Sequence, residues 1–223
     1  MMGDVALLDL EMYCRRDAAR LLGIAPQTLG RWLDGCTAPN GCRHPAVLRI
    51  EPRASLVAGR RYVTWGEFIE AGHLAAYRQQ QRMPLNKLRE YASAWRGRSD
   101  VSYPLARCKL GATPGWCLND DGVASAESVA AFFDRVDFEG DIAVRYWPDG
   151  RDAYIVVDPR RQFGTPIIEG TRMGTEVVHR MYTAGDPAEW LAPAYGLDLV
   201  QVEAAIRFEQ RLANRNVTAY SAA

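Results

Sequence analysis

Residues 15–35 read RRDAARLLGIAPQTLGRWLDG, and their spacing decides the N-terminal architecture. Ala18, Ala19 and Leu22 share one face of a helix over 15–22, and Gly23 stands at a helix-terminating position. Gly23, Ile24 and Ala25 make a three-residue turn. Pro26 is tolerated at the first position of a second helix, which turns Leu29, Trp32 and Leu33 inward and stops at Gly35. The opposite face carries Gln27, Thr28 and Arg31.

Working outward, 36–45 is a loop bearing cysteines and prolines. Alternating apolar stretches at 47–52 and 60–64, separated by a turn with Gly59, predict a β-hairpin. Thr64 caps a helix to about 81 with Phe68, Ile69, Leu74 and Ala75 buried, and Pro84 opens another to about 96. Helix, turn, helix, hairpin, helix, helix is a winged helix-turn-helix order. Beyond it, 107–110 and 116–118 read as short strands and 125–133 as a helix. Strands at 142–147 and 153–157 pair around Pro148, Asp149 and Gly150. Three helices come next, at 175–184, 187–194 and 199–214, with Asp186 and Asp198 as caps and a frayed tail over 217–223. The expected fold is α+β, mainly α. Its parts are a winged helix-turn-helix domain over 1–98, a small β-rich connector over 99–157 and a C-terminal trihelical domain over 158–223.

Net charge is zero, yet residues 12–98 hold 15 Lys and Arg against 6 Asp and Glu, whereas residues 101–223 hold 12 against 17. A basic first half suits a polyanion, and an acidic second half suits a different partner. All but two of the cations are arginine, the exceptions being Lys87 and Lys109. No apolar run reaches membrane-span length and the N-terminus lacks the basic start of a signal peptide, so the expected location is the cytoplasm. The five cysteines are scattered and are expected to be reduced thiols. No G-x-S-x-G, HExxH, Walker or dinucleotide-binding pattern is present, so neither an enzyme nor a cofactor is expected.

In a helix-turn-helix the first helix braces the second, whose N-terminal residues reach base edges in the major groove. Gln27 suits adenine, Arg31 suits guanine and the Thr28 methyl suits thymine. Arg15, Arg16 and Arg20, with Arg60 and Arg61 in the expected wing, suit phosphates. Operator DNA and a homodimer are the partners this reading calls for, since two half-sites are normally needed. The same spacing also fits a plain α-hairpin that packs on something else. Cys36, Cys42 and His44 share one loop, but C-x5-C-x-H is not a common zinc spacing and no metal is expected. His73 and His179 read as surface or partly buried histidines.

Residues 15–35 resemble the opening of MerR-like helix-turn-helix proteins, with an A-x-x-L-G core followed by T-L-x-x-W. Residues 158–209 resemble the domain of unknown function 433. The matching positions run from Pro166 and Ile168 through Gly170, Thr171, Arg172 and Met173, then Gly185 and Asp186. They continue with Tyr195, Leu197, Val202, Ala204, Ala205 and Phe208. The two modules together resemble VapB-type antitoxins. That resemblance implies a protein that silences a PIN-domain, VapC-type ribonuclease toxin and represses their shared operon. Thr171 and Arg172 are the candidate partner-binding residues, Arg172 reaching a carboxylate-rich nuclease site or instead pairing with Glu169 or Glu176. The alternative is a MerR-like regulator that senses a metal or small ligand.

Overall fold

A computed structural model describes residues 7–38, 40–49, 62–81, 84–97, 102–107 and 131–221. Arg60, Arg61, the strand at 116–118, all but the first residue of the strand at 107–110 and most of the expected helix over 125–133 lie outside the described residues. The fold is mixed, mainly helical with small antiparallel sheets. The chain divides into two compact units, Met1–Ala143 and Val144–Ala223, a division that falls inside the expected connector.

In the first unit, helix α1 (Arg15–Leu22) and helix α2 (Pro26–Asp34) come after strand β1 (Glu11–Tyr13). Cys14 caps α1, its Sγ accepting the Asp17 amide. At the other end Gly23 takes φ 68°, so that its amide reaches the Arg20 carbonyl while Ile24 reaches back to Ala19. This closes the helix in the left-handed manner glycine permits. Ala18, Ala19 and Leu21 are buried, so Leu21 rather than the expected Leu22 completes the inner face. Leu22 is half-buried, its side chain lying against Gly72 of a later helix.

The expected loop at 36–45 contains a two-residue ladder, β2 (Cys36–Thr37) against β3 (Arg43–His44). The expected hairpin of 47–52 with 60–64 is not formed by its described residues. β4 (Val63–Thr64) pairs with β1. The Val47 and Leu48 amides instead both reach the Trp32 carbonyl at 2.8 Å. The buried end of α2 offered that acceptor, a tertiary contact that local alternation cannot foretell.

Helix α3 (Trp65–Gln81) is the axis of this unit, buried on nearly every side over its first three turns. Its start is a capping box in which Thr64 Oγ1 accepts the Glu67 amide and Glu67 accepts the Thr64 amide. Trp65, Phe68, Ile69 and Leu74 pack there with Leu29, Trp32 and Leu33 of α2. Helix α4 (Leu85–Arg96) adds Leu88, Tyr91 and Ala92. Strands β5 (Val136–Glu139) and β6 (Ile142–Tyr146) form a further two-stranded sheet.

In the second unit the expected pairing of 142–147 with 153–157 shrinks to one bridge, Tyr146 with Val157. A 3-10 turn at Arg151–Ala153 and a left-handed Tyr154 redirect the chain. Strand β7 (Ile155–Val156) therefore pairs with β8 (Ile167–Ile168). Trp147, Val156 and Ile167 form a small core. Helices α5 (Thr175–Thr183), α6 (Ala188–Tyr195) and α7 (Leu199–Ser221) pack on one another through Val178, Leu191, Val202, Ala205 and Phe208. Helix α7 runs to Ser221, past the expected end at 214, and its sequence holds neither Gly nor Pro to stop it. Asp186 is not a cap. Pro187 takes that position without a side-chain hydrogen bond, and the Asp186 amide closes α5 on Met181. No helix among the described residues is long and apolar enough to cross a membrane.

Candidate functional site

The α1–α2 pair brings several of the candidate DNA-reading residues together. Gln27 and Arg31 are exposed and stand one turn apart on α2, and Thr28 is half-buried beside them. Gly30 completes the same face. A Cβ on it would lie 2.7 Å from Arg15 Nη1, so the Arg15 side chain lies directly over this bare backbone. Three residues expected to touch DNA, Arg15, Gln27 and Arg31, thus share one patch. Arg16 is exposed and Arg20 half-buried on α1. Gly30 was missed in the sequence, although a glycine inside a helix costs about 1 kcal/mol and so signals a reason for being there.

Gly35 sets the direction in which the chain leaves α2. With φ 75° and ψ −172° it occupies a region open essentially to glycine. A Cβ there would stand 2.5 Å from the His44 carbonyl oxygen. Cys36 faces His44 across the β2–β3 ladder, and Cys42 is exposed nearby. Among the described residues no three His, Cys, Asp or Glu side chains stand close enough together to hold a metal.

Beneath this surface, α3 carries three buried polar residues at successive three-residue steps, Glu67, Glu70 and His73. Each has its own partner. Arg49 clamps Glu67 through Nε at 2.5 Å and Nη2 at 2.8 Å, and reaches Asp34 at the end of α2 at 3.0 Å. Glu70 accepts the Leu105 amide at 3.1 Å and stands 3.5 Å from Arg96, whose guanidinium also donates to the Val47 and Leu48 carbonyls. Burial pushes the Glu70 carboxyl up to about 7 despite Arg96. His73 lies 3.1 Å from the Tyr91 hydroxyl and stacks on Tyr77, and burial lowers it to about 4. The expectation of a surface or partly buried His73 is therefore corrected. Its other aromatic neighbours come from distant segments, including Phe133 at 5.0 Å. Full burial among satisfied polar partners gives a structural role to all three.

The second candidate region is the turn between β8 and α5. Gly170 takes φ 77°. Thr171 Oγ1 donates to the Ile168 carbonyl at 2.8 Å and accepts the Met173 amide at 3.0 Å, while Arg161 donates to the Thr171 carbonyl. Thr171 is thus occupied in holding the turn, and Arg172 is presented outward from it, exposed. Arg172 makes no hydrogen bond or ion pair with any described residue. The pairing with Glu169 or Glu176 does not form, and Glu169 instead stands 3.9 Å from Arg145 and 3.8 Å from Arg161.

Residues 155–208 match the DUF433 family. The matching family is described as a protein of unknown function, and it takes in β7, β8, the Arg172 turn and the first three turns of α7. Over 94% of its length the chain is 28% identical to uncharacterized protein Rv2308 of Mycobacterium tuberculosis (strain ATCC 25618 / H37Rv), of which 94% is covered. The X-ray crystal structure of Rv2018 from Mycobacterium tuberculosis is similar in fold, with a TM-score of 0.66 and 22% identity over 89% of this chain and 98% of that one.

The DUF433 stretch has a surface that its sequence did not disclose. Among the described residues, every exposed large apolar side chain falls at or beyond Tyr154. Phe163 is 87% exposed on a left-handed backbone, φ 50°, next to Gln162 at φ 48°. Two consecutive non-glycine residues in that region cost on the order of 1–3 kcal/mol each. Trp190, Tyr195 and Val200 are also about half exposed. Exposed apolar residues of this kind are ordinary on a protein surface when they stand singly.

Proposed function

We propose that the chain is an antitoxin and autorepressor. Its second unit binds and neutralises a PIN-domain, VapC-type ribonuclease. Its first unit, working as a helix-turn-helix in a homodimer, represses the shared operon. One observation carries this reading above the rest. Arg172 stands exposed, without a partner among the described residues, on a turn that Thr171 holds from within. A guanidinium so presented suits a carboxylate-rich nuclease site, where a bidentate ion pair is strong. The exposed Phe163 and Trp190 add the aromatic anchors common at interface centres. In the first unit, Gln27 and Arg31 are the proposed base readers, with Arg15 beside them and Arg16 and Arg20 on phosphates. No catalytic role or cofactor is assigned to the chain.

The test is co-expression with the ribonuclease encoded beside this chain. Wild type is expected to restore growth and to co-purify with the toxin, and Arg172→Ala to weaken both. Growth arrest unrelieved by the wild-type chain, with no complex formed, would sink the proposal. The alternative, a regulator that senses a small ligand, has one specific observation in its favour, a cavity beside α2.

A further inference from the structure

Between the last turn of α2, the residues after β3 and helix α4 lies a cavity of about 810 Å³. That volume is within the range of small-molecule sites, roughly 300–1,000 Å³. Part of its wall is apolar, from Leu33, Pro45 and Val47. The rest is dominated by four arginines, Arg43, Arg49, Arg89 and Arg96, against two carboxylates, Asp34 and Glu90.

The charges do not cancel. Arg49 is matched by Asp34 and Glu67, and Arg96 is occupied by Glu70 and two backbone carbonyls. Glu90 pairs with Lys87 at 3.0 Å. Two guanidinium groups remain uncompensated by any described residue, one on β3 and one on α4. The Arg43 side chain makes no polar contact with a described residue, and Arg89 makes one, from Nε to the Pro45 carbonyl at 3.3 Å. Among the described residues neither has a carboxylate partner. Both line a concave space whose other cations are already locked in place.

We propose that this cavity binds a small anionic ligand of up to mononucleotide size. Its phosphate or carboxylate sits between Arg43 and Arg89, and its body rests on Pro45 and Ala46. Guanidinium forks suit both anions through paired charge-assisted hydrogen bonds. A phosphate of the DNA backbone offers the same group, but it approaches a convex surface and needs no apolar wall. The inference is independent of the antitoxin reading.

Calorimetric titration of the full chain with AMP, citrate and inorganic phosphate tests it, with Arg43→Ala, Arg89→Ala and the double variant alongside. Arg207→Ala, at an exposed ion pair on α7, is the control. At least one of the three anions is expected to bind the wild type and the control alike. Binding should weaken about tenfold or more in each single variant, the loss of one charged hydrogen-bonding partner. Arg43→Ala alone suffices if Arg89→Ala fails to fold. The proposal is overturned if none of the anions binds at millimolar concentration, or if the variants bind as the wild type does. It is also overturned if the variants weaken only the binding of a DNA duplex, which would make the pair a backbone contact.

Discussion

Glu67, Glu70 and His73 are buried polar residues whose partners all come from elsewhere in the first unit, and each makes the fold sensitive in its own way. Arg49 is 9% exposed and Glu67 4%, so removing one partner strands a charge with little access to water. Arg49→Ala is expected to cost about 3–5 kcal/mol in urea unfolding. The other two residues give opposite dependences on pH. His73 is lowered from 6.5 to about 4 in the folded chain, so the unfolded chain takes up its proton first. Its contribution is full above pH 6.5 and is lost as the pH falls towards 4. Glu70 is raised from 4.5 to about 7, so its contribution is full below 4.5 and is lost as the pH rises through 7. Relative to wild type, His73→Gln should therefore gain stability as the pH falls from 7 to 5, and Glu70→Gln as it rises from 5 to 8. Parallel stability curves for the three proteins would contradict this assignment.

Helix α2 is defined by two glycines with different duties. Gly35 needs its backbone conformation and has the His44 carbonyl where a Cβ would go. Backbone cannot step aside, so Gly35→Ala is expected to destabilise by about 2 kcal/mol or more, read as a lowered urea midpoint. Gly30 has only the end of a flexible Arg15 side chain above it. Gly30→Ala should leave stability unchanged or slightly higher through helix propensity, while displacing Arg15 and weakening the proposed DNA binding as Arg15→Ala is expected to. Equal loss of stability from both substitutions would reject that contrast. The start of α3 was legible in the sequence because Thr64 and Glu67 form their capping box within one turn. The pairing of β4 was not, because its partner β1 lies some fifty residues away and two-residue strands carry almost no periodicity.

At the scale of the molecule, the two units should fail separately. Arg31→Ala is expected to lose preference for the operator over random duplex while still binding toxin. Arg172→Ala is expected to lose toxin while keeping both operator affinity and its salt dependence. Gel-shift assays over a range of salt, with toxin pull-downs on the same preparations, distinguish these outcomes, and a variant that damages both activities would contradict the two-ended reading. The sequence by itself determined the local facts. These are the α1–turn–α2 succession, the long helices α3 and α4, the three C-terminal helices within a turn at most ends, and the resemblance that the DUF433 match supports. Each depends on capping, periodicity or glycine and proline chemistry acting over a few residues. Tertiary structure alone decided which polar groups are buried with partners and which are presented outward. Glu70 and His73 sit on a helix that reads as ordinary and amphipathic, and only packing from every side made them core residues. Arg172 had two carboxylates within reach along the chain, yet Glu169 was taken by Arg145 and Arg161. An ion pair goes to the partner that the fold brings nearest, and nearness in the chain does not set that distance.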